Sequence, residues 1–215
     1  MELLSGAPRP SWRGRLHTWA FFLAIPAGIV LIVRSTHAAS ISAASIYSAS
    51  LLCVFGTSAA YHRLARSERA VRIMRRMDHS MIYVLISGSY VPMCLVALPK
   101  AWGIPILSVV GGFGVIGVVI KATGVRKLQW LGYALYPTMG WLAVVAGPVL
   151  VRSVTSWQLA CIVAGGITYT LGFVVFATKR PDPWPRTFGY HEIWHVFTVV
   201  AAGLHFTAMA GILAG

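Results

Sequence analysis

The chain has 215 residues, of which 57% are hydrophobic and only 11% are charged, whereas a soluble domain usually carries about 25% charged residues. This composition, with a mean hydropathy of +0.73, excludes an ordinary soluble domain and predicts an integral membrane protein. The formal net charge of +13 could indicate nucleic-acid binding. We predict no nucleic-acid partner, because no binding module is visible and the basic residues are distributed by loop.

Seven apolar segments follow one another along the chain, and most have the length of about 20 residues that a helix needs to cross a bilayer. Neither an internal repeat nor a soluble domain is visible between them. We therefore predict that residues 1–215 form one all-α domain, a bundle of seven transmembrane helices. The predicted spans are 17–33, 40–61, 79–98, 102–120, 128–150, 156–177 and 191–213.

Small residues and prolines are frequent within these spans. The second span begins with a run of serines and alanines, and the fourth and sixth spans are rich in glycine. Small residues let helices approach closely in lipid, so we predict a tightly packed bundle. Prolines predict kinks, and they occur at Pro26, Pro92, Pro105, Pro137 and Pro148. The cysteines are far apart and predict apolar packing, with no disulfide and no cysteine metal motif: Cys53, Cys94 and Cys161.

The positive charges alternate from loop to loop. All but three of the 18 Lys and Arg residues lie in the N-terminal tail or in the second, fourth and sixth loops, and all five acidic residues lie on that same side. Such an excess marks the cytoplasmic side. We predict a plasma-membrane protein with a cytoplasmic N-terminus and an outer C-terminus. Its predicted partners are membrane lipids, since the arginine-rich second loop can contact anionic headgroups.

The first span has some features of a secretory signal. Arg13 and Arg15 precede its apolar run, and the small residues Ala38 and Ala39 follow it. The cleavage site is poor and the run contains Pro26, so we expect the first span to be retained.

Four ionisable residues fall at one predicted depth. His62 ends the second span, Asp78 opens the third, and His191 and His195 open the last. Ionisable groups inside a bilayer are costly and therefore point to function. His191 and His195 are four residues apart and share a helix face. The sequence predicts that His62, His191 and His195 bind Zn²⁺ near the cytoplasmic face, because three histidines plus water is an arrangement of catalytic zinc.

Two further residues are predicted to act beside the metal. Asp78 is either a fourth ligand or the group that holds and deprotonates a zinc-bound water. Ser58 lies four residues before His62, on the same helix face. His17 and His79 are predicted to be interfacial or supporting residues. His205 is almost three helical turns beyond His195, too far to bind the same ion, and is predicted to contact a neighbouring helix.

The run His191-Glu192-Ile193-Trp194-His195 also matches the zincin string, in which the glutamate is the general base. The string is short, and neither a Gly-x-x-His motif nor an acidic third ligand follows it. An intramembrane metalloprotease is therefore an alternative of lower rank.

Three separated motifs together resemble the hemolysin III branch of the progestin and adipoQ receptor superfamily, and the resemblance extends over essentially the whole chain. They are Ser58-x-x-x-His62, the run from Asp78 to Tyr83, and His191-x-x-x-His195. The resemblance implies a seven-helix fold, zinc held by His62, His191 and His195, and Asp78 and Ser58 beside the zinc water. In related receptors the site looks like that of a lipid amidase acting on ceramide-type substrates.

The chain departs from this family at the start of the first span. The family often has an acidic residue and an asparagine before a histidine there. This chain reads Arg13-Gly14-Arg15-Leu16-His17, so only His17 matches. The role of that segment in this chain therefore does not follow from the resemblance.

The leading predicted function is zinc-dependent hydrolysis of an amide or ester in a lipid, with Asp78 as the base and Ser58 beside it. A different class remains open, namely a non-catalytic sensor or membrane-homeostasis protein in which zinc is structural. An ion-coupled transporter is disfavoured by the absence of repeats and of charged residues in the outer half.

The charge distribution generates a test of topology. Alkaline phosphatase fused to the C-terminus should be active in a bacterial host, because that enzyme matures only outside the cytoplasm, and green fluorescent protein fused there should be dark. The same two proteins fused to the N-terminus are the control and should give the opposite pattern. An active phosphatase at the N-terminus and an inactive one at the C-terminus would contradict the predicted orientation.

Overall fold

Helices account for most of residues 9–214, which are the residues that the computed structural model describes. No sheet is present in that range, where Trp184 and Phe188 form an isolated bridge. The helices are α1 (Arg15–Arg34), α2 (Ala38–Leu64), α3 (Glu68–Pro92), α4 (Lys100–Thr123), α5 (Gln129–Trp141), α6 (Gly147–Ser153), α7 (Ser156–Thr178) and α8 (Tyr190–Leu213).

These helices make seven segments that are long and apolar enough to cross a membrane, so the predicted number of spans is confirmed. The third segment, Glu68–Ala97, continues from α3 into a π-helical turn that follows Pro92, and the fifth, Arg126–Ser153, contains both α5 and α6. Large apolar side chains on the outside of the bundle are widely exposed, among them Leu23 at 70% and Val33 at 76%. Such a surface fits contact with lipid.

The third helix begins well before its predicted start at residue 79. Ser67 caps it by accepting a hydrogen bond from the Ala70 N–H at 3.2 Å, and the arginines that follow are good helix formers. Hydropathy misses this part because it is charged. As a result, Asp78 lies ten residues inside α3 and does not open the span as predicted.

The fifth span is broken, although the sequence predicts one segment. A 3₁₀ turn, Leu142–Ala146, separates α5 from α6, and Pro148 in the first turn of α6 has no N–H to continue the earlier ladder. The Tyr90 hydroxyl accepts a hydrogen bond from the Ala143 N–H at 2.8 Å and donates to the Met139 carbonyl at 2.8 Å. Tyr90 therefore pairs backbone groups that the break leaves free.

Small residues let the helices pack closely, as predicted. Ala43 and Ala44 of α2 are completely buried. On α4, a Cβ atom added at Gly117 would overlap the Tyr83 ring of α3, while one added at Gly112 would meet no atom within 4 Å. Cys94 and Cys161 are buried, as their predicted packing role requires, whereas Cys53 is exposed; all three are free thiols.

The glycines of α4 offer a matched test of helix packing. Gly117→Ala should lower stability by about 1–3 kcal/mol, because an added methyl group is forced against the Tyr83 ring. Gly112→Ala makes the same chemical change in open space and should be neutral or slightly stabilising. Thermal unfolding in detergent measures both, and equal effects of the two substitutions would contradict the close approach of α3 and α4.

Candidate metal site and its cavity

Three imidazole rings from two helices meet at one end of the bundle. His62 lies near the end of α2, and His191 and His195 lie in the first two turns of α8. One ring nitrogen from each lies within 4.8 Å of the others, so the group could hold a metal ion. His62 and His195 are 6% and 3% exposed. The structure therefore brings together the three residues that the sequence selects as ligands.

The chemistry of these rings and the spacing of one pair fit a zinc ion. The Nε2 atoms of His62 and His191 are 3.2 Å apart, and two nitrogens on a tetrahedral zinc ion are separated by about 3.3 Å. Neutral imidazole is a ligand that zinc and several other divalent metals accept. The donor set thus fits zinc, although histidine alone does not select it among these metals.

The first turn of α8 is held by two carboxylates. The Glu192 carboxylate accepts a hydrogen bond from the Gly189 N–H, and the Asp182 carboxylate accepts one from the Tyr190 N–H, both at 2.9 Å. These bonds satisfy N–H groups that a helix start leaves unpaired, and negative charge is favoured there by the helix dipole. They fix the turn that carries His191.

Glu192 also forms a buried ion pair. Its side chain is 1% exposed, and its second oxygen accepts a hydrogen bond from Nε of Arg13, which is 13% exposed. Both carboxylate oxygens are therefore occupied by structural partners. These contacts give Glu192 a structural role, so the zincin-like string does not require it to be a general base. The protease alternative is disfavoured for that reason.

The segment before α1 ties the site together in a way that the sequence does not reveal. The Arg9 guanidinium donates to the carbonyls of His62 and Ala65, each at 2.9 Å. A Cβ atom at Gly14, where φ is +79°, would press against the Cβ of His62 at 2.6 Å. Arg9, Arg13 and Gly14 thus secure the end of α2 and the start of α8, and no local pattern identifies them.

His17 lies against the histidine group, as the supporting role predicts. Its ring stacks on His195 with 3.8 Å between centroids and an interplanar angle of 7°, and it meets the Phe55 ring edge to face. The side chain is 3% exposed. Among the described residues neither ring nitrogen has a hydrogen-bond partner. His17 supports the plane of His195, which agrees with the supporting role.

Asp78 and Ser58 line one cavity together with His191 and His195. Asp78 does not belong to the compact three-histidine group. Of the two roles predicted for Asp78, its position therefore favours a carboxylate that acts beside the metal site over a fourth metal ligand. His79 lines the same cavity, and its carbonyl accepts a hydrogen bond from the Tyr136 hydroxyl at 2.9 Å.

The cavity runs from the histidine group along the bundle, lined on other sides by α5 and α7. Its volume is about 130 Å³. On α8 it extends from His191 to His205, which is about 21 Å at the rise of an α-helix. Most of its wall is apolar, including Ile82, Leu85, Ile86, Phe173 and Phe176.

His205 occupies the end of this cavity that is farther from the histidine group. Its Nε2 lies 3.2 Å from the carbonyl oxygen of Ile162 on α7. The ring also fills the space that Gly165 of α7 leaves open. The predicted contact of His205 with a neighbouring helix is therefore present.

Comparison with known proteins finds one family over nearly the whole chain. The family model described as haemolysin-III related matches residues 6–206. The chain is 28% identical to "Hemolysin-3" of Bacillus cereus, over 88% of this chain and 85% of that protein. It is 30% identical to "Hemolysin-3 homolog" of Bacillus subtilis strain 168, over 85% and 84% of the two chains. It is 25% identical to "Adiponectin receptor protein" of Drosophila melanogaster, over 73% of this chain and 39% of the receptor.

The buried ion pair generates a test with an internal control. Arg13→Ala or Glu192→Gln alone should destabilise the protein by about 3–5 kcal/mol, because each leaves the partner buried and unpaired. The double variant should cost less than the sum of the two. The exposed pair Arg72–Glu68, with side chains 55% and 79% exposed, is the control and should contribute about 1 kcal/mol or less. Strict additivity in thermal unfolding would contradict direct coupling of Arg13 and Glu192.

Proposed function

The chain belongs to the haemolysin-III-related family, and we propose that it is a zinc-dependent hydrolase of an amide or ester bond in a membrane lipid. One observation carries the proposal. A three-histidine group, a carboxylate and a hydroxyl meet at one end of a long apolar cavity. A lipid chain can occupy such a cavity while its polar linkage lies beside the histidines.

His62, His191 and His195 would hold the zinc ion. When bound, zinc supplies Lewis acidity toward water and toward a carbonyl oxygen. Arg9, Arg13 and Glu192 keep α2 and α8 in place around the ion. His17 limits rotation of the His195 ring, and such supporting contacts orient metal ligands in other proteins.

Asp78 would act as the general base. It accepts a proton from the attacking water and returns that proton to the leaving nitrogen or oxygen, so that a fatty acid and an amine or alcohol are released. Ser58 steadies the carboxylate. A positioned base of this kind contributes about 10²–10⁴-fold to rate.

A non-catalytic sensor or membrane-homeostasis protein is the second candidate, and one observation favours it. The segment in which the family often has an acidic residue and an asparagine reads Arg13-Gly14-Arg15 here, and Arg13 serves a structural ion pair. A relative whose name is "Adiponectin receptor protein" also fits a signalling role. In this case the metal would only join α2 to α8.

We further propose that the protein resides in the plasma membrane with the histidine group near the cytoplasmic face. The support is the distribution of charge. The arginines between α2 and α3, together with those before α1, lie at the end of the bundle that carries the histidine group. An excess of Lys and Arg is typical of the cytoplasmic side.

The deciding experiment pairs lipid hydrolysis with metal analysis. Purified protein in detergent should contain about one zinc per chain and should release fatty acid from at least one of a panel of ceramides, N-acyl amino acids and phospholipids. Asp78→Asn should keep its zinc and lose activity by roughly 10²–10⁴-fold, because it removes only the base. Glu68→Gln, an exposed acid on the same helix, should behave as wild type.

The metal and catalytic parts of the proposal can fail separately. Retention of zinc by the His62→Ala/His195→Ala double variant would contradict the ligand assignment. Absence of turnover by wild-type protein across the panel, with zinc present, would favour the sensor.

A further inference from the structure

A second cluster of polar side chains lies at the far end of the cavity. Tyr47 of α2, Tyr169 of α7 and His205 of α8 all line it. The Tyr169 and His205 rings meet edge to face with 5.5 Å between centroids. Tyr47 is 1% exposed. Three helices therefore deliver polar aromatic residues to the far part of a mostly apolar wall.

The Tyr47 hydroxyl is not explained by packing. It is buried and has no hydrogen-bond partner among the described residues. A buried hydroxyl without a partner lowers stability, and phenylalanine would fill the same space without that cost. A polar group kept inside a membrane bundle is by default a sign of function.

The cluster offers the two hydrogen-bonding roles that an alcohol needs. The contact between His205 Nε2 and the Ile162 carbonyl requires the ring proton on Nε2, which leaves Nδ1 as an acceptor. The Tyr47 and Tyr169 hydroxyls can donate. An alcohol both donates and accepts, so a single hydroxyl group matches this set.

The cluster is too far from the histidine group to take part in chemistry there. His205 follows His195 by ten residues on α8, a distance of about 15 Å along the helix. An extended hydrocarbon chain covers that distance in about twelve bonds, at the backbone-like advance of roughly 1.2 Å per bond. A chain anchored at the histidines would place its middle carbons beside Tyr47.

We propose that Tyr47, Tyr169 and His205 form a binding site for a hydroxyl group carried in the middle of a lipid chain, so that hydroxylated fatty acyl chains are the preferred ligands. The inference rests on the proposed function for one feature, the anchoring of the acyl carbonyl end at the histidine group. The Tyr47 hydroxyl donates to the chain hydroxyl, which in turn donates to His205.

The test measures binding and does not require turnover. Octadecanoic acid and its derivatives hydroxylated at carbon 12 or carbon 6 compete with a fluorescent fatty acid for the full-length protein in detergent. The 12-hydroxy acid should bind roughly three- to tenfold more tightly than the unsubstituted acid, the usual worth of one hydrogen bond. The 6-hydroxy acid should show no comparable gain, because its hydroxyl lies about 7 Å short of the cluster at roughly 1.2 Å per bond, and the hydroxyl of Thr198 on that part of the wall already donates to the Trp194 carbonyl.

Conservative variants assign the preference to the cluster. Tyr47→Phe and Tyr169→Phe keep the ring and should reduce or abolish the preference for the 12-hydroxy acid while leaving the affinity for the unsubstituted acid unchanged. Tyr133→Phe makes the same change on the outside of α5, where the residue is 37% exposed, and should keep the preference. The two cluster variants provide independent tests should one of them fold poorly.

Each result separates this inference from the proposed function. Equal binding of the three acids by wild type, a preference retained in both cluster variants, or no binding of any acid would overturn the hydroxyl site and leave the cluster with water only. A protein that prefers the 12-hydroxy acid but hydrolyses no lipid would support the site and contradict the hydrolase.

Discussion

The absence of water inside a membrane bundle is the constraint on which this structure depends, because each buried polar group must find its partner within the protein. Glu192 pairs with Arg13 and with the Gly189 N–H. Lys121, 3% exposed in α4, lies 3.1 Å from the Gln129 side chain and 3.7 Å from the Tyr133 ring centroid, so an amide and an aromatic face replace its hydration. These pairings fix where the helices begin, end and cross.

The exceptions to this rule coincide with the cavity. Among the described residues, buried side-chain nitrogen or oxygen atoms without partners occur in His17, Tyr47 and Ser48. His17 and Tyr47 both line the cavity, His17 beside the histidine group and Tyr47 against Phe206, the residue that follows His205. Ser48 instead packs against Gly28 of α1. Two of the three residues with unpaired polar atoms thus border space that another molecule can enter. A bound molecule could supply the hydrogen-bond partners that the protein does not.

Local spacing and hydropathy predict much of the fold and the centre of the site. The seven spans follow from apolar length, and the shared face of His191 and His195 follows from their separation of four residues. The early start of α3 is not predictable from hydropathy, because its first turns are charged. The role of Arg13 is not predictable either, since its partner Glu192 is 179 residues away, and the zincin-like string gives that glutamate a misleading meaning. Tyr47, Tyr169 and His205 belong to three helices, and only their packing brings them together.

The Arg13–Glu192 pair has a consequence for how sequences of this kind can diverge. A mutation at either position alone leaves a buried charge without a counterion, so the intermediate between one pairing and another is strongly disfavoured. Positions 13 and 192 should therefore be inherited as a unit, changing together or not at all. A lineage that replaced both by neutral residues would also have to find a new way to hold the first turn of α8. Two positions far apart in the sequence are thus expected to evolve together.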